Sequence, residues 1–140
     1  MSRASRGGAS FRTLYHGSAA DGGGGYGLFL IRRSGGWARH WASINTGMHP
    51  VPPPPLIDLA HETVVTLAVG RRPTLGYDVT IEDVTVRDAT LVVTGVERRP
   101  VGGATLDMVC SPIHVVAARI GPDAFEDMVL NLHIKAQDVE

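Results

Sequence analysis

Within the run Thr63–Val69, the residues Val65, Leu67 and Val69 alternate, and Tyr77, Val79 and Ile81 repeat that period of two after a short loop. Apolar side chains spaced by two share one face of an extended strand, and that face must be covered. A chain that repeats the pattern is committed to sheets. At Glu82-Asp83 the phase slips, because the next inward candidates are Val84 and Val86. A strand cannot change phase without an extra residue, so a β-bulge is predicted there. Leu91–Val96 returns after the short turn at Asp88-Ala89. Thr105–Cys110 and His114–Ile120 read as strands broken at Pro112, and Met128, Leu130, Leu132 and Ile134 alternate in a last strand. Asp123–Leu130 also fits the start of a helix.

The first part of the chain is less regular. Residues 1–9 are mostly Gly, Ser and Arg, with almost nothing to bury, and read as a disordered tail. Phe11–Gly17 and Tyr26–Arg32 read as two strands joined by Asp21 and four glycines, an N-terminal hairpin. The period then changes: Trp37, Trp41 and Ile44 recur at helical spacing, with Ser34 as N-cap, which predicts a short amphipathic helix over 35–44. Residues 49–55 are dominated by proline, which sets φ and removes the backbone donor, so the segment is an extended connector or a ligand for a proline-binding module. The expected organisation is one domain over 10–140, made of hairpin and helix (10–48), Pro-rich connector (49–55) and β core (56–140). The expected fold is mostly β: an antiparallel sandwich or partly open barrel of seven or eight short strands with one short helix.

With 140 residues the chain is long enough for one core. Thirteen basic and 14 acidic residues are mixed along it, without a block of one sign that would suit nucleic acid. No apolar run is long enough to span a bilayer. The start Met1-Ser2-Arg3-Ala4-Ser5-Arg6 is basic but leads into no apolar stretch, so a cytoplasmic location is the expectation.

Catalytic motifs fail on inspection. Gly22-Gly23-Gly24-Gly25-Tyr26-Gly27 matches G-x-G-x-x-G in form, but a strand follows where a helix N-terminus is needed. No acidic residue stands between Asp21 and Asp58 to meet a ribose. The histidines at 16, 40, 49, 61, 114 and 133 show no metal-ligand spacing. Cys110 and His114 would lie ~13 Å apart on an extended chain, too far to pair as nucleophile and base unless Pro112 folds them together. Single Cys110 suits a small core residue. No catalytic residue, metal ligand or cofactor is nominated, and a non-enzyme is expected.

From Leu56 onward the residues fall into a recognisable order: Ile57-Asp58-Leu59, Val64 to Gly70, Pro73-Thr74-Leu75-Gly76-Tyr77, Val79-Thr80-Ile81 and Leu91-Val92-Val93. Pro100-Val101-Gly102-Gly103 and Pro112-Ile113-His114-Val115-Val116 follow. In this the chain resembles the PrcB C-terminal domain family of protease-complex subunits over residues 56–120, with Leu75 standing where the family loop has its first glycine. The resemblance implies a non-catalytic domain that associates with a protease, or another protein, and supports its stability or activity. The loop is also similar to the Asn-Pro-Thr-Thr-Gly-Tyr loop of chagasin-type cysteine-protease inhibitors, which are immunoglobulin-like sandwiches. A direct inhibitor using the 72–77 loop is therefore the alternative, and a structural or ligand-binding β domain a third.

The loop has a reading of its own. Pro73 presets φ and pushes Arg72 to an extended conformation. Gly76 suits the positive-φ position of a type II turn over Thr74–Tyr77, and Tyr77 starts the inward alternation. Turn chemistry accounts for Pro73, Gly76 and Tyr77, but leaves Leu75 as an exposed apolar tip beside Arg71 and Arg72. The candidate partner-binding residues are Arg71, Arg72, Thr74 and Leu75, with Arg98 and Arg99 from the second loop.

Overall fold

The computed structural model describes residues 2–3, 8–19, 25–101, 108–121 and 129–139. The elements run β1 (Ser2–Arg3), β2 (Phe11–Ser18), β3 (Tyr26–Ile31), α1 (Ser34–Ile44), β4 (Thr63–Val69), β5 (Asp78–Arg87), β6 (Thr90–Pro100), β7 (Pro112–Ala118) and β8 (Val129–Val139). They form a mostly β fold of two sheets, ordered β1-β2-β7-β4-β3 and β5-β6-β8, without closure into a barrel.

The centre of the larger sheet explains the sequence pattern. All seven residues of β4 and all seven of β7 are buried, so both faces of these strands are covered. Toward the smaller sheet, Val65, Leu67, Val69 and Val116 meet Val79, Ile81, Val84, Leu91 and Val93. Toward the helix, Val64, Ala68, Ile113 and Val115 meet Trp37, Trp41 and Ile44. The sequence alternation predicts one buried face; the helix supplies a cover for the other. The near-continuous apolar runs of β4 and β7 follow from that second cover.

The predicted helix and bulge are present. Trp37, Trp41 and Ile44 are the buried residues of α1. The helix begins one residue earlier than 35, and Arg33 rather than Ser34 occupies the N-cap, in extended conformation with no side-chain capping bond. Register passes from Ile81↔Gly95 to Asp83↔Thr94, which leaves Glu82 as the extra residue of a bulge.

Five readings are corrected or limited. β2 and β3 do not form a hairpin, because β7 and β4 lie between them: β2 pairs with β7 and β3 with β4. The central positions go to the strands that are apolar on both faces, while β2 and β3, buried only in part, take outer ones. The smaller sheet is not wholly antiparallel, since β8 runs parallel to β6 from Thr90↔Val129 to Pro100↔Val139. Met108 and Val109 lie outside any strand and Cys110 forms only an isolated bridge, while 105–107 fall outside the described residues. The helix alternative over 123–130 falls largely outside them too, and β8 begins at Val129. Within 1–9, where the composition reads as a tail, Ser2–Arg3 pairs with β2 and the Ala9 N–H donates to Val84 O at 2.7 Å. Main-chain pairing of this kind needs no side chains to bury.

Candidate functional site

β2, β4 and β6 run toward one end of the sandwich, and β3, β5 and β7 depart from it. The register pairs Ser18↔Pro112, Tyr26↔Val69 and Asp78↔Arg98 mark that end. The 70–77 loop and the flanks of the 101–111 connection therefore converge there, together with the start of β3.

The 70–77 loop is held from three sides. Arg72 and Cys110 exchange both main-chain hydrogen bonds, at 2.7 and 3.0 Å. The Arg72 guanidinium forks onto Glu97, with Nε donating to Oε2 at 2.6 Å and Nη2 to Oε1 at 3.0 Å. Two parallel charge-assisted bonds fix orientation as well as distance. Glu97 is itself buried, and the pairing raises the Arg72 pKa further above its ordinary value, chiefly through that hydrogen bond. The same guanidinium lies 5.9 Å from the centre of the Tyr77 ring. Cys110 Sγ donates to Thr74 O at 3.1 Å, and burial raises its thiol pKa. Gly76 has φ near 100°, as the turn reading requires.

These contacts redistribute the nominated residues. Arg72, Pro73, Thr74, Gly76 and Tyr77 shape and anchor the loop. Leu75 is half-buried rather than an exposed tip, because the loop is folded down on its anchors. Arg98 donates to Thr80 Oγ1 at 2.9 Å and lies 3.6 Å from Asp78, while Arg99 pairs with Asp138 at 3.0 Å on β8. Arg71 is exposed and makes no side-chain bond to a described residue. The structure thus brings Arg71, Arg72, Leu75 and Arg98 to one end, but spends most of their charge on internal partners.

Four exposed apolar residues at this end escape the sequence reading: Tyr26 is 60% exposed, Val101 47%, Met108 58% and Val109 60%. Tyr26 reads as an ordinary strand residue, and Met108 and Val109 read as part of a strand that does not form. The available signal is the Pro-Val-Gly-Gly loop, where Val101 has no alternating neighbour to pack with.

A histidine pair lies directly behind the loop. The Ile81 N–H donates to His114 Nδ1 at 2.8 Å, so that nitrogen carries no proton. His114 Nε2 then donates to Thr13 Oγ1 at 2.9 Å. Burial, with His16 beside it, lowers the His114 pKa to about 4. The His16 ring lies 4.7 Å away, with Nε2 2.9 Å from Val79 O and 2.7 Å from Asp78 Oδ1. These bonds tie β2, β7 and β5 together across the two sheets. Both His114 nitrogens and the Cys110 thiol are thus hydrogen-bonded to other groups, not to each other. Among the described residues no group of three or more His, Cys, Asp or Glu side chains is placed to hold a metal, and no helix is long and apolar enough to cross a membrane.

A comparison with curated proteins and one with solved structures each return no match. A family model does match: residues 63–118, which run from the start of β4 to the end of β7 and include Arg72, Glu97, Cys110 and His114, match the PrcB C-terminal family, the family that the strand and loop motifs resemble.

Proposed function

We propose that the chain is a non-catalytic protein-binding domain that assists or stabilises a protein partner, with a protease as the partner class that the family resemblance favours. The observation that carries this reading is the surface at the loop end. Tyr26, Val101, Met108 and Val109 are exposed around a turn that Arg72, Glu97 and Cys110 hold rigid. Apolar side chains presented on an ordered frame lose little conformational freedom on binding, which favours association. The inhibitor alternative, in which the 72–77 loop enters a cleft, draws less support, because Leu75 is half-buried and Thr74 O is taken by Cys110.

The test is affinity purification of the tagged full chain from its native host, with Met108→Asp/Val109→Asp as the paired variant. Exposed substitutions leave the fold intact, which circular dichroism checks. A protease retained by the wild type and depleted about tenfold or more by the variant supports the reading, since burying two unpaired charges costs more than 1.4 kcal/mol. Retention of the same proteins by both would place the contact elsewhere.

A further inference from the structure

The contacts of the two tryptophans reach beyond the loop end. Trp37 Nε1 donates to Pro55 O at 3.0 Å and Trp41 Nε1 donates to Pro52 O at 2.8 Å. The two donors are one helical turn apart, and the two acceptors are three residues apart, which is one turn of a polyproline II helix. The rings lie 5.6 Å apart, and Tyr15 meets Trp41 edge-on at 6.2 Å, so the three aromatics line one groove. Between the two bonded carbonyls, Pro53 and Pro54 are exposed. The groove is only partly filled: beside Pro52, about 530 Å³ remains open among Tyr15, Trp41, Ile44 and Met48.

From this geometry we infer that the Trp37–Trp41–Tyr15 groove is a binding site for an extended proline-rich segment, occupied by the chain's own Pro52–Pro55. Such a segment has no internal hydrogen bonds, so its carbonyls are free to accept, and its rings offer flat apolar faces to aromatics. Indole N–H groups set in an aromatic groove read both features, and here they do so in register at two successive turns. A plain connector would need neither donor, since water satisfies proline carbonyls at a surface. The internal segment enjoys a high effective concentration and keeps the site closed. A proline-rich segment of another chain binds once the internal one is displaced.

Trp37 and Trp41 are the chain's two tryptophans, so selectively excited tryptophan fluorescence reports this groove. The experiment uses the full chain with Pro52→Ser, Pro53→Gly, Pro54→Ser and Pro55→Gly, titrated with a synthetic peptide spanning residues 49–56. Saturable binding is expected, at least about tenfold tighter than for a peptide carrying the same Ser and Gly replacements, and at least about tenfold weaker to the wild-type chain, whose site is filled. Adding Trp41→Phe, which keeps an aromatic ring and removes the donor, weakens binding several-fold. If the variant is unfolded alone, the proline peptide restores a cooperative thermal transition and the Ser/Gly peptide does not. Failure to saturate or to restore the transition, or equal performance by the two peptides, overturns the proposal.

Discussion

His114 shows how much a single side chain can carry here. It is 3% exposed, and in its neutral form it accepts from the Ile81 amide and donates to Thr13, so one ring joins three strands. Protonation would turn Nδ1 from an acceptor into a donor facing another donor. In the unfolded chain the imidazole titrates near its ordinary 6.5, and in the folded chain near about 4. Between those values the unfolded state binds a proton that the folded state refuses. The contribution is therefore complete above 6.5 and is lost as pH falls toward 4, by on the order of 3 kcal/mol in total. His40, whose pKa is lowered by burial, adds to the loss in the same direction. Glu62 has its carboxyl pKa lowered by its bonds with Arg12, so its contribution declines only below its ordinary 4.5. Urea unfolding between about pH 7 and about pH 5 thus isolates the histidines, and stability is expected to fall across it. His114→Gln can still accept and donate but does not titrate, so it should lower stability at neutral pH and flatten most of that slope. An unchanged slope would assign the effect to other groups.

At the scale of elements, the turn between β5 and β6 carries strain that the sequence announces only in part. Asp88 and Ala89 both have positive φ, near 51° and 58°, as a two-residue type I′ turn requires. Aspartate tolerates that region, whereas alanine gains nothing there and its Cβ crowds the carbonyl. Ala89→Gly is expected to raise stability by about 1 kcal/mol, read as a higher urea midpoint with an unchanged denaturant slope. No gain would mean that the lost unfolded-state restriction offsets the relief. Turn, bulge and helix were all legible because each depends on neighbouring residues: positive φ at a tight turn, a phase slip at Glu82, and helical spacing of Trp37, Trp41 and Ile44. The loop at 70–77 was legible as a turn for the same reason. Its anchoring was not, since Glu97 and Cys110 lie 25 and 38 positions from Arg72 and nothing local marks them as its partners. The exposure of Met108 and Val109 was hidden for the opposite reason: two apolar residues before a small buried cysteine look like a strand.

At the scale of the whole molecule, the sheet order depends on which strands are covered twice, and that depends on where one helix lies. The alternation in the second half of the chain leads directly to a two-sheet β fold, but β4 and β7 become central only because α1 covers the face that β5 and β6 do not. The split between β2 and β3 is a long-range outcome of the same competition for covered positions. The two sheets pack tightly at Gly95. A Cβ built there would lie 2.5 Å from Leu67 Cδ2 and 3.1 Å from the main-chain Thr80 O, and Leu67 is fully buried. Gly95→Val is therefore expected to push the sheets apart and destabilise the fold by about 2–3 kcal/mol. The displacement also bears on function, because Gly95 lies two residues before Glu97 on the strand that anchors the 70–77 loop. Hydrogen exchange should accordingly show faster opening at Ile81, Thr80 and the Arg72 amide in Gly95→Val, together with the fall in the urea midpoint. Equal stability with unchanged exchange at those amides would mean that Leu67 can turn aside, and that the joint between the sheets is looser than its distances indicate.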